Sequence, residues 1–568
     1  MKAARRIVRS SLLAALALLG LRGACVSVKA QQPPPAQIQS LERAQQWQEI
    51  VRLLAPVQQR TAAMDFSLGM ALAHLDRWSD AARALEEGRR LAPHDPRFPI
   101  ELAGVAYKQK QNARAERLLR HALRFAPQDA YANEFLATLY FLDGNLEAAL
   151  KYWNRVGKPQ IAALRNDPAL RLSPALLDHA FAFAPQSTLL LPQFLATQAR
   201  LRGLGIFPAY QIDLAARADG RFDAVFRARE LDGFGGGGWT DVFLFFRGAA
   251  FQEVNPGYWN LRRQAIDFDS MFRWDAQKRR IFIVASGPLQ HGARYRWRAT
   301  ADLRDENWAI VPSFTGPAPL LAAFNMRTAR ADFGVVSYAS GRLGWSTAAE
   351  VSHRGFRSVN AGAVLTPQML ASGYELKQRA QLDATLWRVP EHRFTLDAGV
   401  SAQAARLWSA APESFAKSAG SLGWQWLPQR RGDDYGMTQE IRAGRIVGQT
   451  PFDELYILGL ERDNNLPMHA HIGTRDGRKG SAPLGREYFL QNWQLDKNLY
   501  SNGLMKVQLG PLLDIGRIAD PGAALGSHQW MFDTGAQLKL RVLGSGLVFS
   551  YGRDLRTGNN AFYVMLLE

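Results

Sequence analysis

Beyond residue 290 the chain alternates apolar and polar side chains over long stretches. Tyr295, Trp297, Ala299, Ala301 and Leu303 alternate with Arg296, Arg298, Thr300 and Asp302. Leu382, Ala384 and Leu386 alternate with Gln381, Asp383 and Thr385, and Phe394, Leu396, Ala398 and Val400 with Thr395 and Asp397. Near the end, Ala536, Leu538, Leu540 and Val542 alternate with Gln537, Lys539 and Arg541. A period of two with one apolar face predicts β-strands. The second face carries full charges, which a dry sandwich core rejects and the wet lumen of a membrane barrel accepts. The 335 residues from 234 to 568 would hold about 16 strands, each with its connection, since a tilted strand crosses a bilayer in roughly 9–11 residues. Tight turns such as Pro390-Glu391-His392 separate some of them.

Upstream the pattern is helical and repeats. Ala81, Ala115 and Ala149 recur at a 34-residue spacing, followed four positions later by Leu85, Leu119 and Trp153, while Pro93 and Pro127 close two of the repeats. Leu68-Gly69, Leu102-Ala103 and Leu136-Ala137 open the matching helices. This resembles the tetratricopeptide repeat, whose small residues let paired helices approach and whose proline ends the second helix. Three repeats fit between about 62 and 160 within a region running 41–160, and Trp47 to Leu54 supplies a leading half repeat. Stacked repeats offer a concave face to a partner, or serve as a rigid spacer.

From 158 to 232 the pattern changes to β-α-α-β-β. A strand near Ile161 to Leu164 precedes a helix begun by Ser173-Pro174 and a second helix from Pro192 to Leu204, stopped by Gly205. Strands follow at Tyr210 to Leu214 and Phe222 to Ala228. The run Gly235 to Gly238 lacks the strand, helix and Lys-Ser/Thr of a phosphate loop and reads as a hinge.

Composition adds an address. Lys2, Arg5, Arg6 and Arg9 precede an apolar run from Leu12 to Leu21, and Val28 and Ala30 stand as small residues before a cleavage point, so 1–30 reads as a secretory signal peptide. Cys25 suggests a lipobox, but Arg22 occupies a position that wants an aliphatic residue. Cleavage after Ala30 removes the single cysteine and therefore any disulfide. Residues 31–40, rich in Pro and Gln, read as a linker. The net charge of +18 includes six basic residues of the leader, which leaves +12. That balance favours anionic lipid headgroups or acidic partners, and arginines in a hydrated lumen account for it equally well. No basic-aromatic module for nucleic acid is present. No later segment approaches the roughly 18 apolar residues of a membrane helix.

Two segments resemble one family. Leu201, Leu204, Gly205, Ile206 and Phe207, a strand, Asp219-Gly220 and a strand ending in Glu230 resemble a polypeptide-transport-associated (POTRA) domain. The segment Gly459 through Leu495 resembles the signature loop and following strand of the BamA/TamA surface-antigen superfamily of outer-membrane barrels, which carry such domains in the periplasm. Leu466 to His471 occupies the inward-folded tip, Asn492-Trp493-Gln494-Leu495 the next strand, and Leu513-Asp514-Ile515-Gly516 the Phe-Asp-x-Gly motif whose aspartate pairs with a tip arginine. Here His469 replaces that arginine and Ala470 the adjacent glycine. A histidine imitates the arginine when protonated, whereas Arg475 or Arg478 stays charged, so these are the expected partners of Asp514, with Lys479 as a further one. The chain departs from outer-membrane barrels again at its last residue, Glu568, where an aromatic is usual.

The resemblance implies a multidomain protein of the outer membrane: a helical repeat solenoid, one α+β domain in the periplasm and a C-terminal antiparallel barrel. It would act in protein assembly or translocation, binding periplasmic proteins or unfolded clients, with a client strand added at the edge Tyr210, Ile212, Leu214. The rival is an outer-membrane export pore for a secreted polysaccharide with a repeat scaffold, which predicts an open lumen and no POTRA fold. A structural adhesin would put its bulk in surface loops. Catalytic readings are poor. His469-x-His471 lacks a third metal ligand at fixed spacing, and Ser414-x-x-Lys417 lacks the companion motifs of penicillin-binding enzymes. The sequence therefore predicts no enzyme, no cofactor and no metal.

Overall fold

A computed structural model describes residues 33–234, 248, 251–311, 319–362, 364–409, 413–429, 434–501, 505–520, 525, 528–542 and 545–567. The signal peptide with Cys25, the hinge Gly235 to Gly238 and Glu568 lie outside the described residues. The chain divides into two compact units, the first ending at Pro127.

The first unit is helical: α1 (Pro35–Arg43), α2 (Trp47–Leu54), α3 (Ala62–His74), α4 (Trp78–Leu91), α5 (Arg97–Lys108) and α6 (Asn112–Phe125). The stretch read as a linker is helical from Pro35 onward, because proline fits the first turn and Ile38 finds a buried place. Ala81, Leu85, Ala115 and Leu119 are all fully buried. A side chain at Gly69 would stand 2.5 Å from Leu85, so the glycine is what lets α3 and α4 meet. Two acids, Asp65 of α3 and Glu116 of α6, enter this core. Asp65 is held by Arg60 at 2.5 Å, and Arg60 also reaches Glu87 at 2.6 Å.

The second unit opens with α7 (Ala130–Leu142) and α8 (Leu146–Trp153), then forms an α+β domain. Its elements are β1 (Gln160–Asn166), α9 (Pro174–Ala180), β2 (Ser187–Thr188), α10 (Leu191–Gly203), β3 (Ala209–Ala216) and β4 (Phe222–Arg229). The sheet order is β2-β1-β4-β3, with β1 parallel and β3 antiparallel to β4. The two-residue β2 lies outside the sequence reading, since so short a strand has no period to detect. Gly205 ends α10 with φ at 75°, a conformation glycine adopts without strain. Phe181 and Phe207 pack edge-on against Phe226 under the sheet.

A large antiparallel β-barrel follows. Its first strands are β5 (Glu253–Val254), β6 (Gly257–Leu261), β7 (Ile266–Trp274), β8 (Lys278–Pro288), β9 (Tyr295–Ile310) and β10 (Ala322–Ser337). Next come β11 (Leu343–Asn360), β12 (Gly373–Val389), β13 (Phe394–Trp408), β14 (Glu413–Trp426) and β15 (Tyr435–Gly448). A long connection holds the two-residue strands β16 (Tyr456–Ile457), β17 (Thr474–Arg475), β18 (Arg478–Lys479) and β19 (Leu484–Gly485). The wall resumes with β20 (Glu487–Ser501), β21 (Met505–Ala519), β22 (Met531–Val542), β23 (Ser545–Asp554) and β24 (Asn560–Leu567). The wall strands pair in chain order, with β20 beside β15 and β24 beside β5.

The barrel is inverted relative to a water-soluble fold. Leu303 is 49 % exposed, Phe333 56 % and Val400 61 %, whereas Asp302, Glu350, Lys377 and Asp514 on the other face are buried. Among the described residues no helix is long and apolar enough to cross a membrane.

Four successive turns on one rim of the barrel hold the α+β domain and α8. Arg263 accepts from the Ser173 N–H. His291 O meets His179 Nδ1 at 3.1 Å. Tyr338 packs on Gly203, and Gly341 lies against Leu195. In the β12–β13 turn, Glu391 takes Lys151 at 2.6 Å and the Tyr152 hydroxyl at 2.7 Å.

Candidate functional site: a loop tip seated on an acidic row

Strand register lines up three acids and an amide. Asn492 on β20 stands opposite Asp514 on β21, Asp514 opposite Asp533 on β22, and Asp533 opposite Asp554 on β23. All four are buried. Like charges directly across a sheet repel, and a buried carboxylate without donors is costly. The row therefore requires donors from elsewhere.

The β15–β20 connection supplies them. The His469 N–H donates to Asp514 Oδ2 at 2.9 Å and His469 Nδ1 lies 2.6 Å from the same oxygen. Asn492 Nδ2 reaches Asp514 Oδ1 at 2.6 Å and also holds the Pro467 carbonyl at 3.1 Å. The Ala470 N–H donates to Asp533 Oδ2 at 2.7 Å, with His471 Nδ1 at 2.9 Å. On the far side of the ring, Gln537 Nε2 meets His469 Nε2 at 2.6 Å and Ser550 Oγ at 3.1 Å. With the amide donating to Nε2, the ring proton lies on Nδ1 and is given to Asp514.

The wall beneath is shaped for this contact. A Cβ at Gly552 would stand 2.2 Å from the His469 carbonyl oxygen, and one at Gly516 would stand 2.6 Å from Met468 Sδ. Any side chain at Gly552 would push the tip off the row. Leu458, Leu466 and Met468 then fill an apolar pocket with Leu490, Ile518 and Met531.

Two further anchorages tie the loop to other walls. Asp463 is held by Arg273 of β7 at 2.8 Å and Arg280 of β8 at 2.5 Å, and Lys479 pairs with Glu306 of β9 at 2.7 Å. Asp453 meets Arg330 at 2.7 Å and Arg354 at 2.9 Å. Beside it, Lys377 Nζ sits among Glu454 at 2.5 Å, Glu350 at 3.1 Å and Glu375 at 3.2 Å. These three glutamates are the one group among the described residues with the spacing to hold a metal ion. The ammonium reaches all three, and Arg354 adds a second cation at Glu375 at 2.7 Å.

The structure corrects the sequence reading of the donor. Asp514 is met by His469, not by Arg475 or Arg478. Those arginines face each other in the β17–β18 hairpin, which turns at Asp476-Gly477 and bridges to Trp308 on β9 through Lys479. Pairing with β9 carries the hairpin to a different wall from β21, and both arginines are exposed. His469 and His471 address different aspartates and do not form the start of a shared metal site. Ser414 and Lys417 belong to β14, where Lys417 donates to the Glu454 carbonyl at 3.0 Å.

Tyr210, Ile212 and Leu214 lie on β3, at one end of the sheet order. Ile212 and Leu214 are buried in the domain core, while Tyr210 is half-buried and Gln211 and Ala215 are exposed beside the backbone groups of this edge. The sequence reading missed Asp533, Asp554, His471, Asn492 as a donor, and Asp463. A signal for one was present: Phe532-Asp533-Thr534-Gly535 repeats the spacing of Leu513-Asp514-Ile515-Gly516.

Comparison with known proteins agrees with the helical repeats. Residues 72–139 match the family described as tetratricopeptide repeat. No curated protein matches the chain. Among solved structures, BamA from Haemophilus ducreyi lacking POTRA domains 1–3 is 10 % identical, covering 72 % of this chain and 84 % of that one, with a TM-score of 0.42. CdiB from Escherichia coli is 13 % identical over 72 % of this chain and 75 % of that one, with a TM-score of 0.45. MamA is 16 % identical over 21 % of this chain and 72 % of that one, with a TM-score of 0.21.

Proposed function

We propose that this protein is an outer-membrane barrel of the BamA/TamA type, of about sixteen strands, that works in the assembly or translocation of proteins. The observation that carries the reading is the loop tip, His469 to His471, seated inside the lumen on Asp514 and Asp533. An inward loop fixed by buried hydrogen bonds braces the wall. His469 and Asp514 are the lock; Arg475 and Arg478 have no part in it.

In this reading the segment 158–232 is a periplasmic POTRA-like domain. Its edge strand β3, at Tyr210, Ile212 and Leu214, accepts an extended client segment through main-chain hydrogen bonds. The tetratricopeptide region holds a periplasmic partner protein on its concave face. Client folding and strand pairing supply the free energy, because unpaired backbone in lipid is costly. The alternative, a polysaccharide export pore, calls for an open lumen, and the anchored loop counts against it.

Depletion of the protein followed by outer-membrane proteomics tests the reading. Loss of a defined set of barrel or secreted proteins, restored by the native chain and not by Asp514→Ala, is the expected result. Loss of surface polysaccharide with an unchanged outer-membrane protein profile would overturn it.

A further inference from the structure

The lipid-facing side of the barrel carries an unexpected cluster of cations. On β8, β9, β10 and β11 that face is apolar through Ile281, Ile283, Leu303, Phe333 and Val351, all well exposed. It then changes abruptly. Arg279 stands opposite Asp305, and Asp305 stands opposite Arg327. One strand on, Arg357 stands opposite Asn325, whose other cross-strand neighbour is Asn307. Directly opposed residues point to the same face of a sheet, with Cβ atoms roughly 5 Å apart. Register alone therefore gathers three arginines, one aspartate and two asparagines into a single patch.

The internal bonding of the patch leaves positive charge over. Asp305 receives Arg327 Nε at 2.8 Å and Asn325 Nδ2 at 2.6 Å, so its charge is already matched. Arg279 and Arg357 are exposed, and neither has an ion pair among the described residues. Gly355 lies opposite Arg327 with open space where its side chain would be. The result is a shallow gap between Arg327 and Arg357, floored by glycine and ringed by donors.

Its height on the wall is fixed by the turns. The β6–β7, β8–β9, β10–β11 and β12–β13 turns hold the α+β domain and α8, so Arg279, Arg327 and Arg357 lie toward the opposite strand ends. A lone arginine there would snorkel into water. Three on adjacent strands, at the border of an apolar band, form a fork for phosphate oxygens, which guanidinium groups bind bidentately.

We propose that this patch is a binding site for the phosphate groups of a phosphorylated glycolipid in the leaflet away from the α+β domain. The inference rests on the outer-membrane reading above. Bound lipid would fasten β8 to β11 at their distal ends, the same strands whose lumen faces hold Asp463 through Arg280 and Asp453 through Arg330 and Arg354.

The test uses the full chain refolded into phosphatidylcholine vesicles with or without diphosphoryl lipid A, then extracted and examined by native mass spectrometry. A parallel arm uses the dephosphorylated glycolipid. Diphosphoryl lipid A should remain bound and the dephosphorylated form should not. Replacing Arg279→Gln, Arg327→Gln and Arg357→Gln should weaken retention by roughly fivefold per arginine, with barrel formation, read by heat-modifiability, unchanged. Equal retention of both glycolipids, or full retention by the triple variant, would overturn the proposal while leaving the barrel reading intact. A chain that forms no heat-modifiable barrel in any vesicle would remove both.

Discussion

The helices of the first unit bury Leu85, Leu102 and Leu119 and keep their arginines in water, whereas the barrel buries Glu375, Lys377 and Asp514 and leaves Leu303, Phe333 and Val400 outside. The two regions use the same residue types with opposite addresses. In the helical unit a buried acid is an exception, rescued locally by Arg60 beside Asp65. In the barrel buried charge is the rule, and it is balanced by long-range partners such as Asp463 with Arg273 and Arg280. Solvent decides the difference. In the proposed reading water surrounds the helices and an apolar medium surrounds most of the barrel wall, so charge gathers in the barrel interior.

The comparison can be broken most severely in the helical core. Leu119→Lys would bury an unpaired ammonium and cost more than about 4 kcal/mol, so the melting transition of the repeat region, followed by circular dichroism, should be lost at ambient temperature. In the barrel the corresponding blow is the removal of charge. Asp514→Ala strands the His469 and Asn492 donors and should cost about 3–5 kcal/mol, read as loss of heat-modifiability at a lower temperature and failure to complement a deletion. His469→Ala should be similar in kind, because it removes the side-chain half of the same contact.

A charge on the barrel's outer face tests the medium directly. Leu303→Lys, midway along β9, should destabilise the membrane-inserted barrel by about 2–4 kcal/mol, measured by urea titration in vesicles; an unchanged midpoint would mean that this face meets water. A smaller effect is expected at the β12–β13 turn, where α8 meets the barrel. Burial alone would raise the Glu391 carboxyl, but the Lys151 and Tyr152 hydrogen bonds outweigh it and bring it below its ordinary value of 4.5. Its contribution is therefore complete above about pH 4.5 and is lost as pH falls through the depressed value. The separation between nitroxide labels attached at neutral pH to α8 and to the β12–β13 turn, read by electron spin resonance, should increase in that acid window and stay independent of pH in Glu391→Gln, which lacks the carboxylate at every pH. Least of all, Arg475→Ala and Arg478→Ala should leave heat-modifiability and complementation unchanged, since both side chains are exposed on the β17–β18 hairpin.

The sequence by itself determined what depends on local periodicity. The 34-residue recurrence of Ala81, Ala115 and Ala149 placed small residues where helices meet, and the alternation around Leu303 and Leu538 fixed which residues face out, because side-chain direction along a strand has a strict period of two. It also brought Asp514 forward as a site residue through a short motif. Only the tertiary structure decided the partner. The loop's hairpin bridges to β9 through Lys479, which carries Arg475 and Arg478 away and lets His469, Ala470 and His471 descend on β21 and β22. Strand register, a property of pairing between segments far apart in the chain, aligned Asp514 with Asp533 and Asp554. The same pairing gathered Arg279, Arg327 and Arg357 into one patch. Beyond the Asp-x-Gly spacing that Asp514 and Asp533 share, neither alignment leaves a trace along the chain, because register is set by which strands become neighbours and not by the pattern within any one of them.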